Sequence, residues 1–151
     1  MKTRSIALAG MISDTSLYNV DGACAVGGVA AIPAGTAVLV STAEPVDGHK
    51  IVAATGITAN TAYGVVVRSH YETPDGSARP LEAVNVLSAG RIWMRSDLEA
   101  APAFGSAVSV TEAGIASSTG VATGWSYAGG FVAAAANPDG VALVEVQVKQ
   151  K

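Results

Sequence analysis

The sequence predicts an all-β fold, a compact sandwich or barrel of short antiparallel strands with very little helix. Three observations predict it. Short runs rich in valine alternate apolar and polar residues with a period of two. Asp-Gly turns recur between those runs, where proline presets φ, aspartate caps its own turn and glycine takes a positive φ. The 17 glycines spread through 151 residues suit many tight turns and few helices. That length is about one domain's worth, so residues 1–151 are expected to form a single β domain, with 1–20 as an extended N-terminal arm.

Taken in order, the opening "MKTRSIALAGMISD" has a basic beginning and an apolar stretch, but Ser5, Gly10 and Ser13 interrupt that stretch and Asp14 closes it. It does not read as a signal peptide. Strands are expected in "TAVLVS" around Val38 and Val40, in "YGVVVRS" at Tyr63–Ser69, in "EAVNVLS" at Glu82–Ser88 and in "GRIWMRS" at Gly90–Ser96. "SDLEAAPAF" offers Ser96 as a helix N-cap with Glu99 three residues on, and Pro102 ends it, so a short helical turn is expected there. "SAVSVTE" at Ser106–Glu112 is a further strand. The "AAAA" of Ala133–Ala136 lies between Gly129–Gly130 and Asn137–Pro138 and reads either as one helical turn or as a loop tip. "VALVEVQVKQK" is the clearest strand, because Val144, Val146 and Val148 alternate with Glu145, Gln147 and Lys149. Turns are expected at Val20–Gly22, Val46–Gly48, Pro74–Gly76 and Pro138–Gly140.

The chain also repeats itself. "PAGTAVLVSTA" (Pro33–Ala43) returns as "PAFGSAVSVTEA" (Pro102–Ala113) with one extra residue, Phe104. Further on, Thr55–Gly56 answers Thr119–Gly120, and Tyr63 answers Tyr127. Two halves with the same strand order would make a pseudo-symmetric sandwich or barrel, each half burying its apolar face on the other. Convergent use of one turn that launches a strand, in a chain so rich in Gly, Ala, Thr and Val, is the other reading.

Composition narrows the function. Half the residues are hydrophobic, only 14% are charged and 5% are aromatic, with a formal net charge of −3 and no basic run. Soluble domains average about 25% charged residues, so much of this surface is small and uncharged, as suits contact with another protein. Lack of a basic patch argues against nucleic acid, and no apolar run reaches the roughly 20 residues of a membrane span. The single cysteine, Cys24, excludes an intrachain disulfide.

Chemistry is scarce. "GWSYA" at Gly124–Ala128 matches a relaxed nucleophile elbow around Ser126, but both histidines, His49 and His70, precede it, where that arrangement needs one to follow. "SHYE" places His70 and Glu72 on one face of a strand, with His49 as a conceivable third metal ligand, though a histidine beside a turn is usually just solvated. Neither set amounts to an active site, so no enzyme, no metal and no cofactor are expected.

What remains is a stripe. Arg91, Trp93 and Arg95 share one face of "GRIWMR", while Ile92 and Met94 share the other. With Ile92 and Met94 inward, the Arg-Trp-Arg face points outward, and Trp and Arg are the residues enriched at interface hot spots. Trp125 and Tyr127 alternate in the same way and are expected to form a second, smaller patch. Packing of Trp93 beneath a neighbouring loop, and stacking of a ligand on it, stand as alternatives.

In the order "PAGTAV" (Pro33–Val38), "YGVVV" (Tyr63–Val67), "SAGRIWM" (Ser88–Met94), "APAFGSAVSV" (Ala101–Val110), "STGVATGW" (Ser118–Trp125) and "ALVEVQV" (Ala142–Val148), the chain resembles the structural cement, or head decoration, proteins of tailed bacteriophages over residues 20–148. The resemblance implies a compact β protein without catalytic residues, made in the host bacterial cytoplasm and carried on the outer surface of the virion head. Its partner would be the major capsid protein, and it would act as a homo-oligomer on the capsid, without nucleic acid or membrane. The alternative is a carbohydrate-binding or adhesin-like β module, with Trp93 or Trp125 as the stacking platform.

Overall fold

The computed structural model describes residues 7–41, 45–69 and 76–150. Their strands are β1 (Ile12–Val26), β2 (Ile32–Pro33), β3 (Ala37–Val40), β4 (Lys50–Ala53), β5 (Gly64–Val66), β6 (Ser77–Ala78), β7 (Ala83–Ser96), β8 (Ala107–Val110), β9 (Ala116–Ser117), β10 (Val121–Val132) and β11 (Ala142–Val148). One 3-10 turn, Ala134–Ala136, precedes β11 and settles the alanine run as a helical turn. The fold class is all-β, as the sequence predicts.

Nine strands form one mixed sheet in the order β1-β4-β3-β5-β7-β11-β10-β8-β9, with β2 and β6 paired apart from it. Two additional pairings, β1 with β7 and β7 with β9, close that sheet into two circuits. The first barrel is β1-β4-β3-β5-β7 and the second is β7-β11-β10-β8-β9, so β7 belongs to both. Within each barrel the first strand in the chain pairs parallel with the third, and every other pairing is antiparallel. The two halves therefore have one topology, with β1, β3, β4, β5 and β7 answered by β7, β8, β9, β10 and β11.

The sequence repeat maps onto this correspondence. Gly35 and Gly105, both at φ +80, end the turns that launch β3 and β8. Gly56 and Gly120 follow the third strand of each half at φ +84 and +140, a region that glycine enters without a Cβ clash. Tyr63 leads into β5 and Tyr127 lies in β10, the fourth strands.

Strands β3, β5 and β7 have no wet face at their centres, and this welds the barrels together. Val38, Val66 and Val86 point into one core with Cys24, Val26, Val52 and Val84. Their neighbours Ala37, Val65 and Leu87 point the other way, into a larger core with Ile92, Met94, Val108, Val110, Trp125, Tyr127, Val144 and Val146. Alternation along a strand sends successive side chains to opposite faces, and here both faces are dry.

Several elements differ from the sequence reading, each for a physical reason. The strands are not all short and not all antiparallel: β1, β7 and β10 have 15, 14 and 12 residues, and each barrel closes through one parallel pair. The two strands expected at Glu82–Ser88 and Gly90–Ser96 are one strand. Gly90 sits inside it at φ +124, and a Cβ there would lie 2.7 Å from that of Tyr18, so glycine lets β1 cross closely where β7 passes from one barrel to the other. The N-terminal arm ends in β1, and Val20–Gly22 is a bulge rather than a turn. The Asp21 carboxylate accepts the Ala23 N–H at 2.9 Å, and the register with β7 shifts between Asp21 and Cys24. No helix follows Ser96, because its hydroxyl donates to the Ala116 carbonyl at 2.9 Å and accepts the Leu98 N–H at 3.0 Å, tying β7 to β9 instead.

The turns at Val46–Gly48 and Pro138–Gly140 form as expected. Asp47 and Gly48 take φ 51 and 81 between the bridged Val46 and His49, and the Gly140 N–H reaches the Asn137 carbonyl at 2.9 Å. Pro74 and Asp75 lie outside the described residues.

Candidate functional site

The second half of β7 carries the Arg-Trp-Arg stripe. Ile92 and Met94 are fully buried in the larger core, and Arg91, Trp93 and Arg95 take the opposite, partly exposed face. Strand β11 sets their neighbours: Gln147 opposite Arg91, Glu145 opposite Trp93 and Leu143 opposite Arg95. The Arg91 Nε donates to Gln147 Oε1 at 3.0 Å, and Arg91 also acts electrostatically on the exposed Asp14 of β1.

Trp93 is partly exposed. Its indole lies across β11 onto Gly130 of β10, where a Cβ would run into the ring and come within 2.9 Å of the Glu145 Cβ. Gly130 is thus the floor on which the indole rests. Gly130→Ala is expected to lift the ring toward water at a cost of about 1–3 kcal/mol, the usual range for overpacking. A red-shifted tryptophan emission together with a lower denaturant midpoint would show it, and an unchanged spectrum would contradict this placement.

Trp125 and Tyr127 correct the sequence reading. They are only 2% and 5% exposed and lie in the larger core, so they form no surface patch and Trp125 offers no platform for a sugar. Ser126, between them, faces the other way in the middle of β10, paired with Gln147 and Ala107. That is a ladder position, not the sharp strand-to-helix turn of a nucleophile elbow. His49 sits in its tight turn with Nδ1 3.2 Å from the Asp47 carbonyl, whereas His70 and Glu72 lie outside the described residues.

Each parallel seam is locked by polar groups. At the β1–β4 seam, Asp21 Oδ2 accepts the Tyr63 hydroxyl at 2.6 Å and pairs with Lys50 Nζ at 2.8 Å. Burial alone pushes the Asp21 carboxyl up, but Lys50, Tyr63 and the Ala23 N–H more than reverse this and hold it at about 2. Burial, then the hydrogen bond to Asp21 and its charge, pushes Tyr63 to about 12, and burial, then the Asp21 charge, pushes Cys24 to about 11. At the β7–β9 seam, the Ser117 hydroxyl donates to Asp97 at 2.9 Å. Tyr127 has its phenol pushed up by burial and then by Asp97.

The Asp21 lock has a pH signature. Its folded pKa lies below the unfolded value of 3.8, so its contribution is complete above about pH 4 and is lost as pH falls through about 2. Solvent screening reduces that contribution to about 1 kcal/mol. Asp21→Asn is expected to lose it at pH 7 and to flatten the fall in stability between pH 4 and 2, as measured by urea unfolding across that range. Parallel curves for the two proteins would refute the lock.

Exposed apolar side chains are the feature that sequence reasoning passed over. Leu17, Val29, Leu81 and Phe104 are 86%, 100%, 69% and 74% exposed. Only Phe104 had a signal, being the one residue inserted in the second copy of the repeat. The first copy's turn is sealed, with Ala34 buried and Gly35 packed against Ala9 and Gly10, whereas Phe104 stands out from the second beside Gly129.

Among the described residues, no helix is long and apolar enough to cross a membrane. A comparison with curated proteins gives no match. A family profile described as structural cement protein (E217 gp24/Pam3 gp6) matches residues 1–149. That match takes in both barrels and the shared strand, and it extends through the N-terminal segment that the sequence resemblance left out. The chain belongs to the structural cement protein family of bacteriophages.

Proposed function

We propose that this chain is a capsid decoration protein that binds the outer surface of the assembled phage head and stabilises contacts between neighbouring major capsid proteins. The observation that carries this reading is the family match over nearly the whole chain. The fold is consistent with such work. Two barrels welded through a shared strand and a common core give a stiff body, and a stiff body loses little conformational freedom when it docks. Binding only the assembled shell stabilises that shell by mass action, and many copies on a symmetric lattice, acting as an oligomer, add their contacts through avidity. The Arg91–Trp93–Arg95 face is the contact surface in this reading.

The test uses purified heads of the parent phage from which the protein has been stripped. Added back, it should co-sediment with the heads to saturation and raise the temperature at which they rupture. Failure to bind, or binding equally well to unassembled capsid subunits, would overturn the proposal. Specific retention on a glycan array without head binding would favour the carbohydrate module, for which Trp93 is the remaining platform.

A further inference from the structure

We infer that the Trp93–Arg95 face receives a carboxylate, carried by an acidic segment of the major capsid protein that lies across strands β7, β11 and β10. The inference rests on the capsid-binding role proposed above and specifies the chemistry of the contact.

Arg95 has unspent hydrogen-bonding capacity. Arg95 is partly buried on the sheet face, yet its guanidinium makes no hydrogen bond or ion pair with any described residue; only its backbone N–H is used, donating to the Gly35 carbonyl at 2.9 Å. A guanidinium carries five donors in a planar fork, and a partly desolvated one without an anion is costly. Elsewhere in the chain the comparable cation is satisfied, since Lys50 is paired with Asp21 at 2.8 Å. Arg91, four residues away on the same face, has Gln147 as its partner. Glu145 is the acid on this part of the face, but it stands opposite Trp93 and is not within ion-pair distance of either arginine.

Geometry adds the second element. The indole rests on Gly130 and leaves its outer side partly exposed next to Arg95. Its Nε1–H makes no hydrogen bond with any described residue, so Trp93 and Arg95, two apart on one face of β7, both offer unspent donors. Leu143, opposite Arg95, is fully buried, which makes the floor beneath the guanidinium apolar and strengthens a charge pair formed above it. A neutral or basic partner would leave Arg95 unpaired and further desolvated. An acidic segment satisfies it. Glu145 then limits the tolerated charge to one carboxylate near Arg95, because a second acid over Trp93 would face it.

The test compares wild type, Arg95→Gln and Arg95→Glu in binding to stripped heads at low and high salt, with thermal unfolding of each variant run alongside. Arg95→Gln should weaken binding at least tenfold and Arg95→Glu at least a hundredfold, and both should lose part of the salt dependence that wild type shows. The glutamine variant keeps the size and polarity of the site, so it reads the charge even where the glutamate variant folds poorly. Wild-type-like binding by Arg95→Gln and Arg95→Glu would overturn the inference while leaving capsid binding intact. A wild-type protein that does not bind heads at all would instead remove the proposed function beneath it. Should the variants bind heads normally but change self-association in solution, the face belongs to a second copy of this chain, and the inference is again wrong.

Discussion

Trp125→Ala is expected to lower the unfolding free energy by about 3–5 kcal/mol, whereas Trp125→Phe should stay within about 1 kcal/mol of wild type. The alanine variant removes one of the largest side chains of the larger core and leaves a cavity in it. The phenylalanine variant loses less volume and also removes a liability. The Trp125 indole N–H is buried without a hydrogen-bond partner, and such a donor costs about 1–3 kcal/mol. The two effects are opposed and similar in size. Urea unfolding of both variants checks this. A small loss in Trp125→Ala would mean that the ring lies at the surface after all, and a large loss in Trp125→Phe would mean that the indole nitrogen has a partner.

Leu87→Ala should cost a further large amount, about 2–5 kcal/mol, and should do so without splitting the unfolding transition. Leu87 is fully buried and sits in the half of β7 that belongs to the first barrel, paired with Val20 of β1 and Val65 of β5. Its side chain nevertheless points into the core of the second barrel. The adjacent Val86 points into the first. One strand therefore connects two cores, and neither barrel can lose it and remain closed. Tryptophan emission reports on the second barrel and far-UV circular dichroism on both, so the two signals should change at one denaturant concentration in wild type and in the variant. Two separated transitions, with Val86→Ala shifting one and Leu87→Ala the other, would show that the barrels fold independently.

Much of the fold could be read along the chain. Valine alternation in Ala142–Val148, the Asp47–Gly48 turn and the two glycine turns before β3 and β8 are local features, set by side-chain period and by the φ a residue can adopt. The repeat was legible too, because both halves reuse the same turn to launch the same strand. The orientation of Arg91, Trp93 and Arg95 followed from Ile92 and Met94: a strand with arginines on one side and large aliphatics on the other has only one way to face.

The same logic failed for Trp125 and Tyr127. Their neighbours Gly124, Ser126 and Ala128 are small and uncharged, so nothing local marks which side of β10 meets water, and the aromatic side is the one the core takes. Nor did the sequence by itself determine that Glu82–Ser88 and Gly90–Ser96 are a single strand. Glycine reads as a break until a second strand is seen passing over it, and only the approach of Tyr18 to Gly90 supplies the reason. Strand content, turn chemistry and the duplicated order belong to the sequence, since they depend on residues a few positions apart. The closure of two barrels on one shared strand, the polar locks at their parallel seams and the unpaired guanidinium of Arg95 belong to tertiary structure, since each depends on which distant residue arrives opposite, and pairing between strands is decided by burial of the whole rather than by any local period.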